Sequence, residues 1–91
     1  MRALRLIVSG MVQGVGFRHF TRLMADRLDV KGWVRNLRDG RVEILAQFPD
    51  EETEKEFLAA IREGPSYSRV TDIEITEEAE LEPLERFDVR F

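Results

Sequence analysis

The chain predicts an α+β fold: a sandwich with two helices on one face of a mainly antiparallel sheet of four to five strands. Three observations point there. Apolar residues alternate at period two near residues 4–8, 42–48, 71–75 and 87–91. They recur at helical spacing in two other stretches, 17–28 and 57–61. An Asp39-Gly40 pair between two strand-like runs marks a hairpin turn. The resulting order is strand, helix, strand, strand, helix, strand, with a short terminal strand after it.

Taken in order, Leu4-Arg5-Leu6-Ile7-Val8-Ser9 reads as a strand with Leu4, Leu6 and Val8 on one face. Phe17, Phe20, Met24 and Leu28 form the apolar stripe of a first helix, with Arg18, Arg22, Asp26 and Arg27 mostly outside. Val30 to Leu37 is a second strand. Arg41 to Phe48 is a third, facing one side through Val42, Ile44, Ala46 and Phe48. Asp50 can cap a second helix whose first turn carries Glu51, Glu52 and Glu54, favourable near the positive end of the helix dipole. Phe57, Leu58 and Ile61 are its stripe, and Gly64-Pro65 ends it. A fourth strand begins near Ser68, with Thr71, Ile73 and Ile75 alternating. The acidic stretch Glu77 to Glu85, holding Pro83, reads as a loop, and Phe87, Val89 and Phe91 alternate on the last strand. This βαββαβ order is that of the ferredoxin-like split-βαβ sandwich.

At 91 residues the chain allows one domain, 1–91. A hydrophobic content of 43% supports a true core. There is no cysteine, which excludes disulfides, a thiol nucleophile and cysteine-based phosphatase chemistry. No apolar run approaches the ~18 residues that span a bilayer. The start, Met1-Arg2-Ala3-Leu4-Arg5, passes straight into a strand and offers no cleavable leader, so a cytoplasmic protein is expected. Residues 1–48 carry nine Lys/Arg against four Asp/Glu, and residues 49–91 five against fourteen, for a total of −4. Net acidity argues against nucleic-acid binding. So does the lack of aromatics for base stacking on the first and third strands, where only the terminal Phe48 appears. The basic half suits a small anion.

That half contains the most unusual stretch, Gly10-Met11-Val12-Gln13-Gly14-Val15-Gly16-Phe17-Arg18. Glycines are costly in backbone entropy and are used where a chain turns tightly or approaches something closely. Gln13 to Gly16 offer no Ser, Thr, Asp or Asn to cap the helix that follows. Its first N–H groups are therefore left for another acceptor. Free amides at a helix N-terminus, joined by the guanidinium of Arg18, suit a phosphate-like anion. The loop lacks the Gly-Lys-Ser/Thr ending of a nucleotide P-loop, and position 19 is not the third glycine of a dinucleotide fingerprint.

The same stretch resembles the acylphosphatase signature: a glycine, any residue, Val-Gln-Gly-Val, any residue, Phe-Arg. A second segment, Gly32-Trp33-Val34-Arg35-Asn36, matches that family's Gly-Trp-Val-Arg-Asn and is followed by Asp39-Gly40. The resemblance covers essentially the whole chain and implies the same ferredoxin-like fold. It implies metal-independent hydrolysis of small acyl phosphates to a carboxylate and inorganic phosphate, with no cofactor. It implies that Arg18 binds the substrate phosphate and that Asn36 positions the attacking water. The backbone of Gln13, Gly14, Val15, Gly16, Phe17 and Arg18 would surround the phosphoryl oxygens. Neither Arg18 nor Asn36 can act as a general base, so the substrate must take part in the proton transfer.

Further expectations concern neighbours. The topology makes the first two strands parallel with the third between them, so the loop after Ser9 and Asn36 share one rim. His19 and Arg35 are read as bystanders, Arg35 pointing away from Asn36. Trp33, Phe17 and Phe20 are read as core. The α-carboxylate of Phe91 is expected to orient Arg18. A monomer is the default, and nothing marks a large pocket for the acyl half. The alternative is a non-catalytic module binding phosphate or carbamoyl phosphate, as acylphosphatase-like domains do inside larger carbamoyl-transfer proteins. No zinc motif or downstream domain supports it here.

Overall fold

A computed structural model describes residues 2–79 and 82–91. The elements are β1 (Arg2–Met11), α1 (Phe17–Leu28), β2 (Lys31–Asn36), β3 (Val42–Phe48), α2 (Glu51–Glu63), β4 (Arg69–Glu78) and β5 (Phe87–Arg90). The strands form one five-stranded sheet in the order β4-β1-β3-β2-β5. All neighbours are antiparallel except β2 and β5, which pair in parallel. This is the ferredoxin-like α+β arrangement, with α1 and α2 packed on the sheet. Among the described residues no helix is long and apolar enough to cross a membrane.

Strand parity builds the core. Leu4, Leu6 and Val8 of β1, Val34 of β2, and Val42, Ile44, Ala46 and Phe48 of β3 are all buried towards the helices. Phe57 and Ile61 of α2 close on them, with the Phe57 ring 5.6 Å from Phe48 and 6.5 Å from Phe87. In α1 the buried line is Phe17, Thr21 and Ala25, while Phe20, Met24 and Leu28 are only partly buried beside it. The stripe read from hydrophobicity alone is therefore off-centre. Thr21 fits on the buried line because its hydroxyl donates to the Phe17 carbonyl at 2.8 Å, satisfying its polarity within the helix.

The local stop signals act as chemistry requires. Asp50 accepts the Thr53 N–H at 2.7 Å and caps α2, and Gly64 ends it at φ 67°. The turn before β3 is fixed by Asp39, which accepts the Arg41 N–H at 3.1 Å.

Three expectations need correcting. The fourth strand does not alternate simply through Thr71, Ile73 and Ile75. A bulge shifts the register between Ser9, opposite Asp72, and Gly10, opposite Val70. It leaves Thr71 exposed and lets both Val70 and Ile73 pack on the core. Second, Glu77 and Glu78 belong to β4, opposite Leu4 and Ala3, rather than to the acidic loop. Arg5 Nε holds Glu78 at 2.7 Å, which offsets the like charges on this edge strand. Of the expected loop, Glu80 and Leu81 lie outside the described residues. Third, Trp33 is not core. Gly32 and Val34 point inward, so Trp33 faces out and lies half-buried between the guanidinium groups of Arg35 and Arg90, 5.1 and 4.6 Å from its ring.

Candidate active site

β1 delivers the chain to a loop, residues 12–16, at the rim where β2 also ends. Gly14 and Gly16 take φ 75° and 78°, the left-handed region that other residues enter only at a cost. Gly16 is the N-cap of α1 and supplies no side-chain cap. The first helical bond is the Phe20 N–H to the Gly16 carbonyl at 3.0 Å. Among the described residues, no N–H from Gln13 to His19 donates to a side chain, or to a carbonyl outside the regular elements. Those in the first turn of α1 precede any intrahelical acceptor. Val12 and Phe17 are buried and Val15 packs on the core, so the loop is anchored on its apolar side.

Gln13 anchors the polar side. Its Nε2 donates to the carbonyls of Leu37 at 2.8 Å and Arg41 at 2.9 Å, across the β2–β3 hairpin. The side chain is thus spent on tying the loop to the hairpin that follows Asn36.

Arg18, in the first turn of α1, donates from Nη1 to the Arg90 carbonyl at 2.9 Å, and its guanidinium lies 4.5 Å from the centre of the Phe91 ring. The expected ion pair with the Phe91 α-carboxylate is not formed; among the described residues no carboxylate lies within 4.0 Å of Arg18. β5 runs alongside β2, and that pairing puts the Arg90 carbonyl and the Phe91 ring against the guanidinium instead.

Asn36 ends β2 with the inward parity of Val34, on the helix side of the sheet. Its Oδ1 is buried and has no hydrogen-bond partner in the protein. Such an acceptor costs about 1–3 kcal/mol unless a donor reaches it. Arg35, one residue earlier, faces away and bonds Glu43 Oε1 at 2.6 Å, a structural contact.

A cavity of about 400 Å³ brings these groups together. Gly14, Gly16, Phe17, Arg18 and Asn36 line it. Of the residues singled out in the sequence, Gln13 and Val15 do not line it. Val12, His19, Arg22, Val89 and Phe91 also line it. His19, read from the sequence as a bystander, thus lines the cavity. Arg22 was legible only through its spacing, one helical turn after Arg18. Among the described residues no Asp or Glu side chain lines the cavity, while two arginines do. Among the described residues no three His, Asp or Glu converge as a metal site.

A rim with free amides, a fixed guanidinium and an unpaired carboxamide is an oxyanion site beside a polar acceptor, the layout of an enzyme acting on phosphoryl compounds. Comparison with known proteins agrees. The sequence pattern of the acylphosphatase family matches residues 4–89. An acylphosphatase of Bacillus subtilis is 48% identical over 85 residues, 93% of this chain and 92% of that protein. One from Archaeoglobus fulgidus is 48% identical over 91 residues, 100% of both. The crystal structure of acylphosphatase from Bacillus subtilis superposes with a TM-score of 0.95 at 47% identity, covering 100% of each chain. The chain belongs to the acylphosphatase family, and its activity is the hydrolysis of acyl phosphates.

Proposed function

We propose that this cavity is the catalytic site, with Arg18 and the loop amides holding the phosphoryl group and Asn36 steering the water that attacks it. The observation that carries the reading is convergence: one cavity joins Arg18, the glycine loop and the unpaired Asn36 Oδ1.

Arg18 is permanently charged and presents a planar fork suited to two phosphoryl oxygens. Its bond to the Arg90 carbonyl uses one N–H and leaves the others for substrate. The N–H groups from Gln13 to Arg18 take the remaining oxygens, aided by the positive end of α1. Asn36 Oδ1 accepts an O–H of water and aims its oxygen at phosphorus. Attack forms the new P–O bond as the bond to the acyl oxygen breaks. The carboxylate leaves unprotonated, being a weak base. The proton released by water passes to a phosphoryl oxygen, so the products are a carboxylate and dihydrogen phosphate. No side chain need act as a base. The protein supplies position and charge stabilisation, and the arrangement asks for no metal or cofactor. The same reading takes the unit 1–91 as one cytoplasmic domain acting as a monomer on a small molecule.

Two variants test it, with benzoyl phosphate turnover and calorimetric binding of inorganic phosphate as readouts. Arg18→Ala is expected to lose phosphate binding and to lower turnover by roughly 10³-fold or more. Asn36→Ala is expected to keep phosphate binding and lose about 10²–10³-fold in kcat. Substantial turnover by Asn36→Ala overturns its assigned role.

A further inference from the structure

We propose that the outer part of the cavity is a second anion subsite, centred on Arg22, which favours acyl phosphates whose acyl end carries a carboxylate. The inference rests on the reading of Arg18 and the loop as the phosphoryl site.

The cavity, at about 400 Å³, is larger than one phosphoryl group fills. Its inner end is committed to Arg18, the glycines and Asn36. The remaining lining residues include Val89 and Phe91, which are apolar, and His19 and Arg22, which are polar. Val89 and Phe91 can cover a short acyl body. Arg22 follows Arg18 by four residues, which places it on the same side of α1 about 6 Å further along the axis. A carboxylate at the far end of a ring-sized or four-carbon acyl group would meet it.

The charges support an anionic visitor. The first turn of α1 holds no acid, and Arg18 and Arg22 both stand in its N-terminal half. Cations near a helix N-terminus oppose the macrodipole, and like charges at i, i+4 repel. One phosphoryl group answers Arg18 but leaves Arg22 over. Among the described residues Arg22 pairs with Asp26, with Oδ2 3.7 Å from Nε and both side chains more than half exposed, a pair that holds Arg22 weakly. Among the described residues no Asp or Glu lines the cavity, and the Phe91 α-carboxylate forms no ion pair with Arg22.

The test compares benzoylphosphonate with 4-carboxybenzoylphosphonate, which resist hydrolysis, by calorimetry on the whole protein and on Arg22→Gln, Arg22→Lys and Arg22→Glu. The unmodified protein is expected to bind the carboxylated compound about tenfold more tightly, as one charge-assisted contact supplies. Arg22→Gln should abolish that ratio, Arg22→Lys should restore much of it, and Arg22→Glu should invert it. The ratio of kcat/KM for the two corresponding acyl phosphates should follow the same order. A binding ratio unchanged in Arg22→Gln, or no preference in the unmodified protein, overturns the subsite. Failure of the unmodified protein to bind inorganic phosphate or either phosphonate overturns the phosphoryl reading itself.

Discussion

Glycine serves two different purposes within this short signature. At Gly14 and Gly16 an added Cβ would meet nothing within 4 Å, so it is the positive φ that calls for glycine. At Gly10 and Gly32 the added atom would run into the backbone of a paired strand, at the Arg69 and Leu45 carbonyls respectively. The two kinds should respond differently to alanine. Gly16→Ala is expected to cost about 1 kcal/mol, the strain of a left-handed L-residue. Gly32→Ala should cost about 3 kcal/mol or more, because β2 must move away from β3. Urea denaturation would measure both, and a Gly16→Ala variant as stable as the parent would remove the strain argument. Arg18 and Asn36 could be picked out in the sequence because each ends a long motif. The split role of the glycines could not, since Gly10 is constrained by a strand sixty residues away. Trp33 shows the opposite lesson: an aromatic suggests core, yet the parity set by buried Val34 already placed it on the other face.

Between elements, the Gln13 side chain ties the proposed phosphate-binding loop to the hairpin after Asn36. Its loss should leave the cradle intact but let the phosphoryl group and the steered water drift apart. Gln13→Ala is expected to lower kcat by about tenfold or more, since small misplacements are costly to a positioned reaction. Phosphate affinity should stay nearly unchanged. A variant that loses thermal stability with kcat intact would make Gln13 a fold residue only. Helix ends follow simpler rules. The pKa of Asp50 is lowered by the Thr53 backbone N–H and then by its further hydrogen bonding with Thr53, from an ordinary value of 3.8. A depressed folded-state pKa means the cap stabilises fully above the ordinary carboxylate value and loses that contribution as pH falls through the lower folded one. Asp50→Ala should therefore lower Tm by about 5 °C at pH 7. The gap between variant and parent should shrink below about pH 4; a gap independent of pH would exclude the charged cap. The ends of α2 were legible because capping is local, and it lies between Asp50 and Gly64 as the residues suggest; α1, without a side-chain cap, was legible from its apolar spacing from Phe17 to Leu28. The bulge in β4 and the pairing of Glu77 and Glu78 were not, because both depend on what β1 presents across the sheet.

For the whole molecule, the βαββαβ order carried the fold, and parallel β1 and β2 separated by β3 put the two motifs at one rim. What the order alone could not give was the geometry of the last strand, four residues long, which pairs with β2 and reaches Arg18 through a main-chain carbonyl. β5 is held by Phe87, buried at 3% exposure with its ring 6.5 Å from that of Phe57 and tilted against it. With Arg18 as the proposed phosphoryl ligand, stability and substrate binding should be coupled at this end of the sheet and not at the other. Phe87→Ala and Phe48→Ala each remove a buried ring and should each cost about 3–5 kcal/mol. That is a large share of the roughly 5–15 kcal/mol that holds a small domain together. Phe48 lies at the far end of β3, opposite Arg2, and touches no part of the cavity. Measured at low temperature on the folded fraction, Phe48→Ala should bind inorganic phosphate as the parent does. Phe87→Ala should bind it several-fold more weakly, because a loosened β5 no longer fixes Arg90 and Phe91 against the guanidinium. Equal phosphate affinity in the two variants would mean that Arg18 holds its orientation without β5.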